Sequence, residues 1–299
     1  MLKSHSLVIS LFLLLFASCS SAVYVDDGVI RTEQGLSVVR NDTNAVQTED
    51  ILLRIATGEV EGFSSVHKFG AGEVTTSMSP ITQSGSYQVP TTATELEFVS
   101  DDVDDTYLGA GARQLTITGL NSLWEEITFT INTSGTTPVI LPHNMTRVYR
   151  WYVSSSGTYS TQSVGSHEGE LTIQESGGGQ VWTQIYTSPF PVGQSEIGVY
   201  TIPKGKTGYL LNKNIFADTS KTTDIFLYAR CNADDIVAPF DGTMRLVERE
   251  IGLQGGIHLD FEVPKGPFEG PCDIGFMGQV SQGTADISVE FELILVDTN

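Results

Sequence analysis

Asp101, Asp102, Asp104 and Asp105, gathered around Val103, form the densest carboxylate cluster of the chain. Calcium takes about six to eight oxygen ligands, and a loop of clustered aspartates can supply several of them. The spacing is not that of an EF-hand loop, and aspartate is also a good turn former, so a solvated turn is the competing reading. His258, Asp260 and Glu262 share one face if residues 257–263 are extended, which would present three ligands to a transition metal. Ile257, Leu259 and Phe261 would then fill the other face, so the outer side of an amphipathic strand reads the same way. Tyr149, Trp151, Tyr152, Trp182, Tyr186 and Tyr200 offer ring faces on which a sugar can stack, or else pack a sheet core. No cofactor is expected beyond calcium at the aspartates.

These side chains have to be held by strands. Ile127, Phe129 and Ile131 alternate with Glu126, Thr128 and Thr130, and Leu115 and Ile117 alternate with Thr116 and Thr118. Near the C-terminus Ile287, Val289, Phe291, Leu293 and Leu295 make a long alternating run. Each places one apolar face on a core and one polar face in water. Further strand candidates are residues 51–55, 95–99, 147–153, 170–173, 181–186, 196–202, 207–212, 224–229, 244–250, 257–263 and 274–279. Clusters such as Gly177-Gly178-Gly179 and Pro203-Lys204-Gly205 punctuate them as turns. No helical stripe of useful length stands outside the N-terminus. The fold class is all-β, with two antiparallel β-sandwich or jelly-roll-like domains after an N-terminal signal-like segment. The boundaries follow from composition: 1–22 signal-like, 23–50 an extended lead-in, 51–193 a β-sandwich, and 194–299 jelly-roll-like. The last boundary closes the stretch Tyr186–Gly193, whose Pro189 and Pro191 disfavour a central strand.

The N-terminus sets the compartment. Lys3 precedes the apolar run Leu7–Phe16, and small residues follow to Ala22, the order of a secretory signal. About ten apolar residues fall short of the roughly twenty that a spanning helix needs. Cleavage before Val23 is one outcome. The other is lipidation of Cys19, because Phe16-Ala17-Ser18-Cys19 resembles a bacterial lipoprotein box. Either way Cys231 and Cys272 remain as an even pair. In an exported protein they read as a disulfide closing a loop of about forty residues, worth roughly 3–4 kcal/mol, and two free buried thiols are the alternative. Asn41, Asn132 and Asn144 head glycosylation sequons, which matter only on a eukaryotic secretory route.

The chain carries 36 acidic against 16 basic residues, a formal net charge of −20. That field repels nucleic-acid phosphates, so DNA and RNA are not expected partners. The sequence has no nucleophile elbow, H-E-x-x-H or phosphate-binding glycine loop, and an enzyme is not expected.

Several stretches, in order, resemble a family of β-rich capsid fibre or virion-associated surface proteins of marine tailed phages and related viruses. They are Gly62–Gly70, Asp105-Thr106 with Gly109–Arg113, Ile117–Leu120 with Trp124–Glu126, Ser134–Val139, Arg147–Arg150, Val199–Leu210 and Val289–Asp297. The resemblance spans roughly residues 60–299. It implies a non-enzymatic homo-oligomer, a trimer by expectation, that decorates a virion or helps it attach to a host. The implied partners are copies of itself, other virion proteins and host glycans. The signal-like start departs from that family, because a particle assembled in a bacterial cytosol does not need export. A virus of eukaryotic cells, a cellular lineage that recruited the module, or an anchoring element that mimics a signal would each reconcile the two. The alternative function is an exported cell-surface adhesin or carbohydrate-binding lipoprotein. The expected location is accordingly the virion surface or the cell exterior.

Overall fold

The computed structural model describes residues 23–26, 29–32, 37–40, 46–49, 51–157, 166–189 and 191–298. The signal-like segment, Cys19 and Asn41 lie outside them. The chain divides into two compact units, Met1–Ser64 and Ser65–Asn299.

In the first unit, strands β1 (Val23–Asp26), β2 (Val29–Thr32), β3 (Ser37–Arg40) and β4 (Val46–Glu49) form an antiparallel meander. An extended lead-in was the expectation for this stretch; its short strands lack the alternation that would announce them. Helix α1 (Ile51–Ala56) replaces the strand expected over Ile51–Ile55. An apolar run this short, interrupted only by Arg54, has no period to separate the two states. The helix ends where Gly58, at φ 76°, turns back so that its N–H reaches the Ile55 carbonyl at 3.0 Å.

The second unit holds four small antiparallel sheets. The first contains β7 (Leu96–Ser100), β10 (Val139–Ile140), β12 (Leu171–Glu175) and β13 (Val181–Ile185), in the order β10-β7-β12-β13. The second orders β8 (Ala112–Leu120), β9 (Glu126–Asn132) and β11 (Arg147–Ser156) as β11-β8-β9. The third joins β14 (Val199–Ile202), β16 (Thr223–Cys231), β17 (Arg245–Leu253) and β19 (Cys272–Val280) as β14-β19-β16-β17, with β6 (Ser79–Pro80) beside β19. The fourth joins β5 (Phe63–Val74), β15 (Lys206–Ala217), β18 (Gly255–Glu269) and β20 (Ala285–Asp297) as β18-β15-β20-β5.

The all-β class is observed, but not as two clearly separate sandwich or jelly-roll domains. The sheets adopt a propeller-like arrangement of four, sharing one core. The reason lies in the pairing. Residues early in the chain, β5 and β6, lie beside the late strands β20 and β19, so chain order does not partition the sheets. Phe98 meets Trp151 edge-on at 6.4 Å between the first and second sheets, and Phe276 meets Phe291 at 5.5 Å between the third and fourth. Rings buried at such contacts each stabilise the fold by about 1.5–3 kcal/mol through transfer alone.

Strand β5 was not among the expected strands. Its inward positions are Val66, Lys68 and Gly70, so a charge and a glycine interrupt the apolar alternation. Gly70 is there because a Cβ would collide with the backbone of Gly198, which crosses directly beneath it. Between β12 and β13, Gly177 and Gly178 turn the chain at φ 83° and 75°, where an L side chain is strained. Their N–H groups donate to the Glu97 carboxylate at 3.0 and 2.9 Å, with Gln174 Nε2 at 2.9 Å. Burial pushes the Glu97 carboxyl up, but these donors outweigh it and hold it below the usual range.

Candidate functional site

A cleft of about 390 Å³ opens in the second unit, lined by residues of five strands. Strand β5 gives Ser65–Lys68, β8 gives Thr116 and Thr118, and β9 gives Glu126 and Thr128. Strand β11 gives Tyr149, Arg150 and Tyr152, and β14 gives Tyr200. Alternation sets their roles. On β8 and β9 the apolar partners Leu115, Ile117 and Ile131 go to the core, which turns the threonines outward. Thr118 and Thr128 pair across the strands at 3.0 Å, and Thr116 and Thr130 at 3.1 Å. On β11, Trp151 is fully buried while Arg150 and Tyr152 face out.

Tyr149 and Tyr200 form the floor. Their rings meet edge-on at 4.8 Å, and both hydroxyls donate to Glu126 Oε2, Tyr200 at 3.2 Å. Burial, together with the charge of Glu126, pushes both phenols well above their ordinary value, so they stay protonated donors. Arg150 lies 5.9 Å from the Tyr152 ring.

Lys68 is the unusual wall. It is 6 % exposed, donates to the Tyr149 carbonyl, and sits 5.8 Å from the Tyr149 ring. It makes no ion pair with any described carboxylate. Burial, with Arg150 as the next cause, pulls its amine down to about 7. A lysine titrates near 10.4 unfolded, so between pH 7 and 10 the unfolded chain binds the extra proton and stability rises with pH. Below pH 7 the native state carries the full cost, on the order of a few kcal/mol. Lys68→Met should therefore raise stability at pH 6 by a few kcal/mol and flatten the profile between pH 7 and 10. Urea midpoints across that range measure it; an unchanged or lower stability at pH 6 contradicts it. A buried amine with no counter-charge inside a cleft is a candidate functional group.

The residues singled out in the sequence are dispersed. Asp105 is fully buried and spent on the fold. It accepts from Ser100 Oγ at 2.6 Å and from the N–H groups of Ala112, Glu168 and Gly169 at 2.7, 3.0 and 2.8 Å. Asp101 accepts from Glu170 N at 2.6 Å, and Asp102 accepts from Asp104 N at 2.8 Å. Among the described residues no three His, Cys, Asp or Glu side chains converge on a metal position, and Asp104 belongs to no such group. His258, Asp260 and Glu262 do share the exposed face of β18. His258 is bonded there to Asn214 and to Asp260 at 3.1 Å. Asn132 and Asn144 are exposed. Of the six aromatic residues, Trp151 and Trp182 are core and Tyr186 is elsewhere on the surface, while Tyr149, Tyr152 and Tyr200 meet in the cleft.

A network that sequence reasoning missed lies beneath the third sheet. Arg147 Nε and Nη2 donate to Asp273 Oδ1 and Oδ2 at 2.8 and 2.9 Å, and both residues are fully buried. Arg230 donates to Asp273 at 2.7 Å and Thr201 at 2.6 Å, with the Tyr87 hydroxyl 2.7 Å from Thr201. The Arg147 guanidinium also packs 4.8 Å from the Trp124 ring. Cys231 and Cys272, the next register pair along β16 and β19, are joined as a disulfide.

No family model matches the chain, and no curated protein matches it. Among solved structures, it is similar to the infectious bursal disease virus Gx strain at TM-score 0.23 and 11% identity, covering 80% of this chain and 72% of that one. Similarity to the infectious bursal disease virus VP2 subviral particle is at TM-score 0.22 and 12% identity, covering 97% and 78%. The PBSX exported protein XepA follows at TM-score 0.17 and 9% identity, covering 91% and 100%. Weak neighbours thus include viral capsid proteins, but at these TM-scores the likeness carries no argument about function.

Proposed function

We propose that this chain is a non-enzymatic structural protein of a virion surface, a fibre, decoration or attachment subunit, that holds a host saccharide in its cleft. The observation that carries the reading is the lining of that cleft. Hydroxyls of Ser65, Thr116, Thr118 and Thr128 match the donors and acceptors of a sugar, and Tyr152, 36% exposed, offers a ring face for stacking. The ordered resemblance over residues 60–299 supports the viral setting. Side chains such as Val237, Ile251 and Val263, 70%, 60% and 79% exposed, support assembly with further copies. A second reading, an exported adhesin or carbohydrate-binding lipoprotein, draws on the same cleft and on the signal-like start.

Mass spectrometry of purified particles separates the two. The first reading predicts peptides of this chain at structural stoichiometry in the particle fraction. Recovery only from medium or membrane, with a terminus at residue 19 or 23, sinks it in favour of the second.

A further inference from the structure

The charges around the cleft specify the occupant further. We propose that the cleft selects an acidic saccharide, its carboxylate or sulfate seated against the Lys68 amine and the Arg150 guanidinium. The inference rests on the saccharide-binding reading and adds the ligand class to it.

The chain as a whole is strongly acidic, with a net charge of −20. In the cleft the balance differs, with Lys68 and Arg150 set against Glu126. Glu126 already accepts from the hydroxyls of Tyr149 and Tyr200. Other semi-buried or buried cations have carboxylates: Lys213 has Glu250 at 2.7 Å, Lys265 has Glu248 at 2.6 Å, and Arg147 has Asp273 at 2.8 Å. Lys68 and Arg150 stand together in the cleft with no ion pair to any described residue. An ammonium has three N–H donors, and the Tyr149 carbonyl takes one of them. The remaining donors of a nine-tenths buried group require an acceptor, and an anionic one also supplies the missing counter-charge.

The groups facing Lys68 are Glu126 from β9, Tyr149, Arg150 and Tyr152 from β11, and Tyr200 from β14, while His67, next to it in β5, turns to the exposed face. His67 is bonded to Glu290 at 2.6 Å. Because the free amine titrates at about 7, an anion that holds it charged must draw in a proton at higher pH. Affinity for an acidic sugar therefore falls as pH rises through 7, roughly tenfold between pH 6 and 8.

The test uses the full chain and three probes: the methyl α-glycoside of N-acetylneuraminic acid, methyl galactoside 6-sulfate and neutral methyl galactoside. Calorimetry at pH 6, 7 and 8 should show one acidic probe binding at least about tenfold tighter than the neutral one, with the tenfold loss towards pH 8. Lys68→Met should abolish that pH step, and exposed Arg150→Ala should erase the preference for the acidic probe. Unchanged circular dichroism keeps either result from being a folding defect. Equal affinity for neutral and acidic probes overturns the inference while leaving the saccharide reading intact. A pH step that survives in Lys68→Met overturns it too, by assigning the titration to a group other than Lys68. Binding of none of the three probes or of any other saccharide overturns both.

Discussion

Asp273→Ala should destabilise the protein by about 3–5 kcal/mol, measured as the shift in urea unfolding at neutral pH. The carboxylate is fully buried, and it neutralises Arg147, which is fully buried as well. Truncation leaves that guanidinium without a counter-charge, with only the carbonyls of Pro90 and Thr146 at 2.9 and 2.7 Å. The removed group also leaves Thr201 and Arg230 without their acceptor. Replacing Arg147 and Asp273 together with apolar residues should cost much less than either alone, because desolvation is then relieved on both sides. The same group fixes an acid dependence. Burial pushes the Asp273 carboxyl up, but the charge and hydrogen bonds of Arg147, then Arg230 and Thr201, outweigh it and hold it below the usual range. A depressed folded value means that the stabilisation is present above the unfolded value of about 3.9 and is lost as pH falls through the folded one. Acid titration of wild type should show that loss and Asp273→Asn should show less of it. A cost below about 1 kcal/mol for Asp273→Ala would contradict the network's role.

The second large effect belongs to the disulfide. Cys231 and Cys272 are separated by 41 positions, and the loop they close contains all of β17 and β18. Removing the link with Cys231→Ala and Cys272→Ala should cost about 4 kcal/mol, from the loop-closure entropy returned to the unfolded chain. In a unit of this size that lowers Tm by roughly 8–16 °C. Reductant should reproduce the shift in wild type and add nothing to the double variant. Because Cys272 adjoins Asp273, the losses from the two sites should not add. A Tm unmoved by reduction would contradict the prediction.

What the sequence revealed, and what it hid, follows from how far each signal reaches along the chain. The alternation at Ile287–Leu295 and at Leu115–Ile131 is local, and β20, β8 and β9 stand where it places them. Tyr149, Tyr152 and Tyr200 could be named as sugar-facing candidates, but only folding brings Tyr200 to the other two. Lys68 broke the apolar pattern of its strand and thereby hid the strand. That interruption was the signal of the site, legible only once Val66 and Gly70 are known to face inward. The pairing of Arg147 with Asp273 spans 126 positions, and no local period announces it. The aspartate cluster shows the converse. Its density is visible in the sequence, yet Asp105 spends its oxygens on backbone N–H groups from distant segments.

Whether the cleft holds a saccharide can be read from a glycan array probed with the full chain. Binding to a restricted set of glycans is expected, reduced at least about tenfold by Tyr152→Ala, since stacking of a sugar on an exposed ring is worth on the order of 1 kcal/mol or more. The variant should keep its fold, because Tyr152 is 36% exposed. Binding that Tyr152→Ala leaves undiminished, or an array with no glycan bound, would contradict it.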